Sequence, residues 1–240
     1  MEIIPADIRK KYNLIEDIWP LTDKWHQIAK RNITDFIVKY YPEITHAKPG
    51  GVLNAGSGGN SYGIDQDHLT HIDIAEERIQ NLPNSIAADI HRIPFEDQSF
   101  DGIICVGSVI NYCDPATIFR EFKRVLKPKG HVILEFENSH TLELLFKQGF
   151  NQDSVLIKSF YNGLNESIYY FSETFIRKLC AIYGFEILAL KRFHLLSPLV
   201  YRLLGDADFA SRFSMLDRFC TRIPFLKGYS SNTIFFLQCC

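Results

Sequence analysis

The chain has 240 residues, of which 46% are hydrophobic and 22% are charged, and its formal net charge at pH 7 is -2. This composition predicts one domain with a sizeable core, and the near-zero charge argues against a nucleic-acid partner. No apolar run approaches the roughly 20 residues of a membrane span, and the charged N-terminal stretch lacks the apolar core of a secretory signal.

The six cysteines of the chain form no Cys-x-x-Cys pair. Such scattered cysteines are typical of reduced thiols that pack in a core, rather than of a disulfide framework or a zinc site. We therefore expect a cytoplasmic protein that holds no metal ion.

Strands and helices are predicted to alternate along the chain. In chain order, apolar spacing and chain breakers predict a helix over 24–41, strands over 52–55 and 70–73, a helical turn over 75–80, strands over 85–89 and 100–106, a helix over 115–126, a strand over 131–136, a helix over 171–183, and strands over 185–190 and 233–238. The run 100–106 is nearly continuous in apolar residues, as in a parallel strand buried on both faces. The alternation predicts an α/β sandwich with a mostly parallel sheet.

Glycine and polar residues follow four consecutive predicted strands. A glycine-rich turn, Gly56-Ser57-Gly58-Gly59, ends the first strand, Asp73 ends the second, Asp89 the third, and Gly107-Ser108 the fourth. Open parallel sheets bind ligands at the carboxyl ends of their strands, and an acidic residue after the second strand can accept the hydroxyls of a ribose. Two simpler interpretations stay open: an ordinary βα turn, and aspartates that cap the turns after them.

Four stretches of the sequence resemble the class I S-adenosylmethionine-dependent methyltransferases, particularly their small-molecule group. They are VLNAGSGG at 52–59, ADI at 88–90, IPFEDQSFD at 93–101 and FKRVLKPKG at 122–130. The stretch 93–101 could otherwise be only a surface turn. The resemblance implies a doubly wound, Rossmann-like sheet of seven strands whose last strand is antiparallel, with S-adenosylmethionine as the cofactor.

The resemblance also implies which residues hold the cofactor. Gly56, Ser57 and Gly58 would cradle its methionine part, and Asp73 would hold the ribose. Ile74 would pack against adenine, Asp89 would accept from the adenine amino group, and Ile90 would flank the ring. Ser108 would lie beside the cofactor, and Asn54 stands where the family usually has an acidic residue. An amide can form hydrogen bonds but lacks a charge for the methionine ammonium.

Two departures from the family pattern keep a second function open. Asn54 replaces the usual acid, and the connection from Gly59 to Thr70 is short. A catalytically weak protein that only binds the cofactor would tolerate both. A third hypothesis, a dinucleotide-dependent oxidoreductase, is disfavoured because Ser61 interrupts the G-x-G-x-x-G spacing.

Candidates for chemistry lie on the loops after the strands. His140 follows the fifth strand and could act as a general base, although a loop histidine is often simply solvated. His91 and His194 are weaker candidates for the same role. Asn111 and Tyr112 could orient an acceptor or cap the helix from 115.

The whole chain is predicted to form one methyltransferase domain, 1–240, with a helical cap over 1–50, a cofactor-binding core over 51–137 and an acceptor-side half over 138–240. A lid-like insertion, 191–228, contains seven basic and three acidic residues. One interpretation is an amphipathic lid whose charges are solvated. The other is a surface that contacts a membrane peripherally or binds an anionic acceptor. We expect methyl transfer to oxygen or nitrogen of a small-molecule or lipid-like acceptor, mainly by proximity and orientation. The sequence does not indicate the acceptor or the oligomeric state.

Overall fold

The computed structural model of the chain describes residues 5–15, 17–44, 49–161, 164–220 and 222–240. The predicted cap 1–50 and lid 191–228 therefore include residues 1–4, 16, 45–48 and 221, which lie outside the described residues, as does the side chain of Arg218. Across the described part of the chain, no helix is both long and apolar enough to cross a membrane.

The described residues form nine strands and seven α-helices. The strands are β1 (Val52–Ala55), β2 (Leu69–Asp73), β3 (Ser85–Ala87), β4 (Phe100–Cys105), β5 (Leu126–Glu137), β6 (Ser154–Tyr161), β7 (Leu164–Phe171), β8 (Phe185–Phe193) and β9 (Asn232–Cys239). The helices are α1 (Pro5–Leu14), α2 (Lys24–Ile44), α3 (Pro115–Val125), α4 (Glu173–Tyr183), α5 (Ser197–Leu204), α6 (Ala207–Arg212) and α7 (Ser214–Cys220).

Seven strands form one sheet in the order β3-β2-β1-β4-β5-β9-β8. The pairs from β3 to β5 are parallel, and β9 runs antiparallel to both of its neighbours. This confirms the predicted doubly wound, mostly parallel sheet with an antiparallel last strand. Because β9 is antiparallel, the carboxyl ends of β4, β5 and β8 share one edge of the sheet with the start of β9.

Helices cover both faces of the sheet. On one face, Ile103 of β4 packs with Phe119 of α3 and Ile176 of α4. On the other, Ile104 of β4 packs with Ile37 of α2. Successive side chains of a strand point to opposite faces, so one apolar strand serves both cores. Burying each such side chain contributes roughly 1.5 to 3 kcal/mol.

Local signals explain where two of these helices begin and end. Asp114 accepts a hydrogen bond from the backbone N–H of Thr117 and Pro115 takes the first position of α3. Ser172 caps α4 in the same way, and Gly184 ends it in the left-handed conformation at φ 73°.

Several boundaries differ from the sequence prediction. The predicted helix from 171 begins at Glu173 instead, because Phe171 is the last residue of β7. The fifth strand begins at Leu126 rather than 131, and β8 extends past 190 to Phe193. The β6–β7 hairpin and α1 were not predicted, since their weakly alternating sequences leave no clear period.

Candidate functional site

The glycine-rich loop after β1 is held in a conformation that needs glycine. Gly56 and Gly58 have positive φ values of 70° and 52°. A Cβ at Gly56 would lie 2.5 Å from a methyl group of Val109, so a larger residue there would collide with the segment after β4. The backbone N–H groups of Gly56 and Ser57 donate to the carbonyl of Ile72, which ties the loop to β2.

Asp73, at the end of β2, supports this loop with its carboxylate. One oxygen accepts the backbone N–H of Gly58 at 2.7 Å, and the other accepts the backbone N–H of Ala75 at 2.8 Å. The residue is 8% exposed, and burial raises the pKa of its carboxyl group. The capping interpretation is therefore observed, while ribose binding stays a prediction.

Asp89 pairs with His91, two residues further on. Its Oδ1 accepts from both the backbone N–H and Nδ1 of His91, at 2.9 and 2.6 Å. This hydrogen bond lowers the pKa of Asp89 and raises the pKa of His91. The Nε2 atom of His91 accepts the backbone N–H of Asp114, so the pair also links β3 to the start of α3.

The structure brings together seven of the nine predicted cofactor residues. They line one cleft at the carboxyl ends of the strands: Gly56, Ser57, Gly58, Asp73, Ile74, Asp89 and Ile90. Asn54 is buried behind the loop, where its side chain donates to the carbonyl of Asn60 at 2.6 Å. Ser108 lies on the wall of a neighbouring cavity instead.

Residues near the N-terminus cover this cleft, and sequence analysis did not single them out. Tyr12, Ile18 and Trp19 all line it. The Tyr12 hydroxyl donates to the hydroxyl of Tyr112 at 3.1 Å, and the backbone carbonyl of Tyr12 accepts from Nε of Arg78. The two aromatic residues, Tyr12 and Trp19, were the available signal in the sequence.

A second cavity, of about 790 Å³, adjoins the cleft. Tyr12, Trp19, Gly107 and Tyr112 line both spaces, so the two meet beside the end of β4. Residues of β5, the β6–β7 hairpin and β8 form much of its remaining wall. Its size and its position next to the cleft suit a second ligand.

Three glutamates of this cavity, Glu135, Glu137 and Glu143, were not predicted as site residues. Burial raises the pKa of all three carboxyl groups, to about 8 for Glu137 and about 7 for Glu143. The charge of Glu135 adds to the shift of Glu137, and Tyr170 hydrogen-bonds both Glu137 and Glu143. Two acidic residues in an apolar strand were the sequence signal for the first two.

Ser108 connects the end of β4 to these carboxyl groups. Its backbone N–H donates to Glu135 at 2.6 Å and its hydroxyl donates to Glu137 at 3.0 Å. The other oxygen of Glu135 accepts from the side-chain amide of Asn232 at 2.7 Å. The carboxyl group of Glu137 is thus held at the point where the cleft meets the cavity.

His140, the predicted general base, is not among the described residues that line either space. Its Nδ1 lies 3.0 Å from the carbonyl oxygen of Gly228, and its ring contacts Tyr229 and Phe150. This position does not support the catalytic role, which stays a prediction. Of the other histidines considered, His91 lines the cleft and His194 the cavity.

Asn111 and Tyr112 have different positions. The side chain of Asn111 is fully buried and bonds the backbones of Glu137 and Tyr169. It therefore braces β5 against the hairpin, while Tyr112 faces both spaces. The cap of α3 is Asp114, not either of them.

Residues 49–134 match the family described as a methyltransferase domain. This match covers the glycine loop, both aspartates and the strands that position them. Over these residues the chain is similar to the S-adenosylmethionine-dependent methyltransferases. The dinucleotide-dependent oxidoreductase hypothesis is therefore set aside.

The chain is also similar to two named methyltransferases that act on quinone precursors or in quinone biosynthesis. It is 27% identical over 143 residues to a demethylmenaquinone methyltransferase of Thermotoga maritima, covering 53% of this chain and 57% of the relative. It is 30% identical over 153 residues to a ubiquinone biosynthesis O-methyltransferase of Pseudomonas aeruginosa, covering 58% and 60%. The alignments thus span little more than half the length of these relatives.

A solved structure shares the fold over most of the chain. The 1,6-didemethyltoxoflavin-N1-methyltransferase of Burkholderia thailandensis, solved with 1,6-didemethyltoxoflavin and S-adenosylhomocysteine, superposes with a TM-score of 0.58. The superposition covers 98% of this chain and 87% of that chain, at 14% identity. The likeness extends the shared fold beyond the matched residues 49–134.

Proposed function

We propose that this protein transfers a methyl group from S-adenosylmethionine to oxygen or nitrogen of a small-molecule or lipid-like acceptor. The observation that carries the proposal is the junction at Gly107 and Tyr112, where the cleft with the predicted cofactor residues opens into the second cavity. A donor in one space and an acceptor in the other would meet there. The named relatives in quinone biosynthesis support an acceptor of this class.

The cofactor would lie in the cleft in the orientation that the family resemblance implies. The two oxygens of Asp73 each accept one backbone N–H, and a carboxylate has about four acceptor sites, so capacity remains for ribose hydroxyls. The hydrogen bonds from His91 to Asp89 both fall on Oδ1, which leaves Oδ2 for the adenine amino group. Ile74 and Ile90 would contact the ring, and Gly56 to Gly58 would cradle the methionine part.

Positioning of the two reactants would supply most of the rate enhancement, because the sulfonium methyl group of the bound cofactor is already electrophilic. Holding two reactants in near-attack geometry is worth about 7 to 11 kcal/mol. A hydroxyl nucleophile also needs a proton acceptor, which adds roughly 10²- to 10⁴-fold. Glu137 is better placed for that role than His140, since it faces the cavity and bonds Ser108. Because its pKa is raised to about 8, it would accept a proton only in the ionised form that higher pH favours.

A catalytically weak accessory protein is the alternative, and Asn54 favours it. Its amide is used to hold the loop through Asn60, so no carboxylate stands there for the methionine ammonium. Such a protein would bind the cofactor and its product but release no methylated acceptor. Turnover with candidate acceptors separates the two.

The helices after β8 support a peripheral membrane contact. Apolar side chains of α5, α7 and the residues after it are more than half exposed: Leu203, Leu204, Met215, Phe219 and Phe225. Such an apolar face beside basic residues suits an anionic bilayer. We therefore propose that part of the segment 191–228 rests on a membrane that supplies a lipid-like acceptor.

Calorimetry tests the proposed function at its first step. S-adenosylmethionine and S-adenosylhomocysteine should bind in the micromolar range, and NAD should not. Binding of NAD with no response to S-adenosylhomocysteine would overturn the proposal. A binding-competent protein is then assayed for S-adenosylhomocysteine release with demethylated quinone precursors, small phenols and amines as acceptors.

A further inference from the structure

His194 is a buried histidine on the wall of the second cavity. It directly follows β8 and is only 2% exposed. The indole ring of Trp25 packs on it with a centroid distance of 4.8 Å, and Tyr201 in turn stacks on Trp25 at 5.5 Å. The imidazole is therefore held in one orientation by aromatic neighbours.

A chain of hydrogen bonds sets the tautomer of this ring. The Ser197 hydroxyl donates to the buried carboxylate of Asp217 at 2.6 Å, so its oxygen is left to accept. The Nδ1 atom of His194 lies 3.1 Å from that oxygen and must donate its hydrogen. The proton is thus on Nδ1, and Nε2 carries a lone pair.

That lone pair has no hydrogen-bond partner among the described residues. Burial, with a smaller effect from His26, lowers the pKa of His194 to about 3. The ring is therefore neutral at physiological pH and cannot gain a partner by taking a proton. A buried hydrogen-bond acceptor without a partner has lost its hydration without forming a hydrogen bond in the protein. It therefore points to a ligand that donates a hydrogen bond to it.

The charges around the cavity restrict what that ligand is. Glu135, Glu137 and Glu143 line the same space. Of the lysines and arginines of its wall, Lys147, Lys158 and Arg202 are exposed at its surface. The fourth, Lys11, is half-buried with its ammonium group over the rings of Tyr12 and Tyr112. An anionic group would meet carboxyl groups in the interior, whereas a hydroxyl or amine would find acceptors.

The sheet sets the distance between His194 and the point of transfer. Ser108 follows β4 and His194 follows β8, and these strands are separated by β5 and β9. Three strand spacings correspond to about 14 Å. One small functional group of a ligand therefore cannot reach both His194 and the point of methyl transfer near Ser108.

We propose, resting on the proposed function, that the second cavity binds an elongated, uncharged or cationic acceptor that donates a hydrogen bond to Nε2 of His194. The donor is a hydroxyl or N–H group remote from the atom that is methylated, and the acceptor's apolar or aromatic body lies beside Trp25. His194 is then a specificity-determining residue that rejects analogues lacking this donor. Ser197 and Asp217 are positioning residues that keep the ring an acceptor.

Nitrogen-15 NMR of protein labelled at histidine tests this with a matched pair of probes. Phenol donates a hydrogen bond, and anisole has nearly the same shape without a donor. In the free protein His194 should show a protonated Nδ1 and an unprotonated Nε2. Phenol should shift the Nε2 resonance upfield, and anisole should leave it in place.

Two variants complete the experiment. His194→Phe identifies the resonance and should weaken phenol affinity about tenfold. His131→Phe is the matched control. His131 lies within β5, stacks on Phe236 of β9 and is not among the residues that line the cleft or the cavity, so this variant should bind phenol as the parent does. If His194→Phe does not fold, the tautomer of His194 in the parent protein and its response to phenol and anisole still test the proposal.

An Nε2–H tautomer, no response to phenol at millimolar concentration, or equal responses to phenol and anisole would each overturn the proposal. S-adenosylhomocysteine is titrated into the same samples. If it binds and Nε2 does not respond to phenol, the inference alone fails. If it does not bind while phenol contacts His194, the proposed function fails and the donor-binding site stands.

Discussion

Asp73 accepts the backbone N–H of Gly58 at 2.7 Å, so the end of β2 holds the glycine loop that follows β1. The same carboxylate caps the turn after β2 through Ala75. One side chain thus shapes the cleft and faces the space where the ribose is expected. Its replacement should change both cofactor affinity and loop stability.

Asp73→Ala should weaken S-adenosylhomocysteine binding by about 1.5 to 3 kcal/mol, since a charge-assisted acceptor is lost. Asp73→Asn keeps the shape and one acceptor oxygen, and should lose less. Calorimetry gives the affinities and thermal melting gives the stability. If Asp73→Ala melts far lower while its folded fraction binds normally, the residue is only a cap.

Asp89→Ala should weaken binding of the adenosyl compounds and spare free methionine, because Oδ2 is expected to accept from adenine. Competition of methionine and S-adenosylhomocysteine against a labelled cofactor measures both. His91→Phe is a useful control, because it removes the ring's hydrogen bond to Asp89 Oδ1 and the acceptor for the backbone N–H of Asp114 but leaves the carboxylate. An equal loss of both ligands in Asp89→Ala contradicts an adenine contact.

The buried carboxyl groups should make stability depend on pH. The pKa of Glu137 is raised from 4.5 to about 8 in the folded protein, so the folded state binds more protons than the unfolded state between these values. The free energy of unfolding should therefore fall as pH rises from about 4.5 to about 8, by up to about 1.4 kcal/mol per pH unit for this group. Denaturant titrations across this range measure the slope.

Glu137→Gln should make that slope shallower, and Glu186→Gln, on the exposed side of β8, should not. Four groups face Glu137: Glu135 from the same strand, Ser108 from the segment after β4, Tyr170 from β7, and Glu143. The carboxyl group of Glu143 is itself close to the charge of Arg202. Glu143 has a raised pKa of its own and leaves a residual slope. An unchanged slope in Glu137→Gln would show that Glu137 is ionised in the folded protein.

Arg212→Glu with Arg222→Glu should reduce binding to anionic vesicles, by about 1 kcal/mol per basic residue near the bilayer. Arg212 is the last residue of α6 and Arg222 lies just after α7, and both are exposed. Their guanidinium groups lie over the rings of Phe209 and Phe219, respectively. Arg202 is left intact because it lines the cavity and donates to the backbone of Glu143. The measurement is co-sedimentation of the protein with anionic vesicles at low and high salt. If the parent protein does not bind these vesicles, the membrane proposal is wrong.

Two basic residues of the predicted lid are not available for such a contact. Arg192 pairs with Glu173 at 2.7 Å, and Lys191 donates to the backbone carbonyl of Asn32. Both belong to β8, so the exposed positive charge of the segment comes from residues after that strand. The vesicle test therefore concerns residues beyond β8 alone.

The sequence by itself determined the sheet and the cofactor side of the site, because their signals are local. Apolar runs mark β1, β4 and β5, and parallel strands bring the residues at their carboxyl ends to one edge of the sheet, which is why Asp73 and Asp89 could be named together. Only the tertiary structure decided the acceptor side. Glu137, Tyr170 and His194 come from distant segments that meet through the strand order. Their protonation and unmet hydrogen bonds arise from burial, which no local pattern encodes.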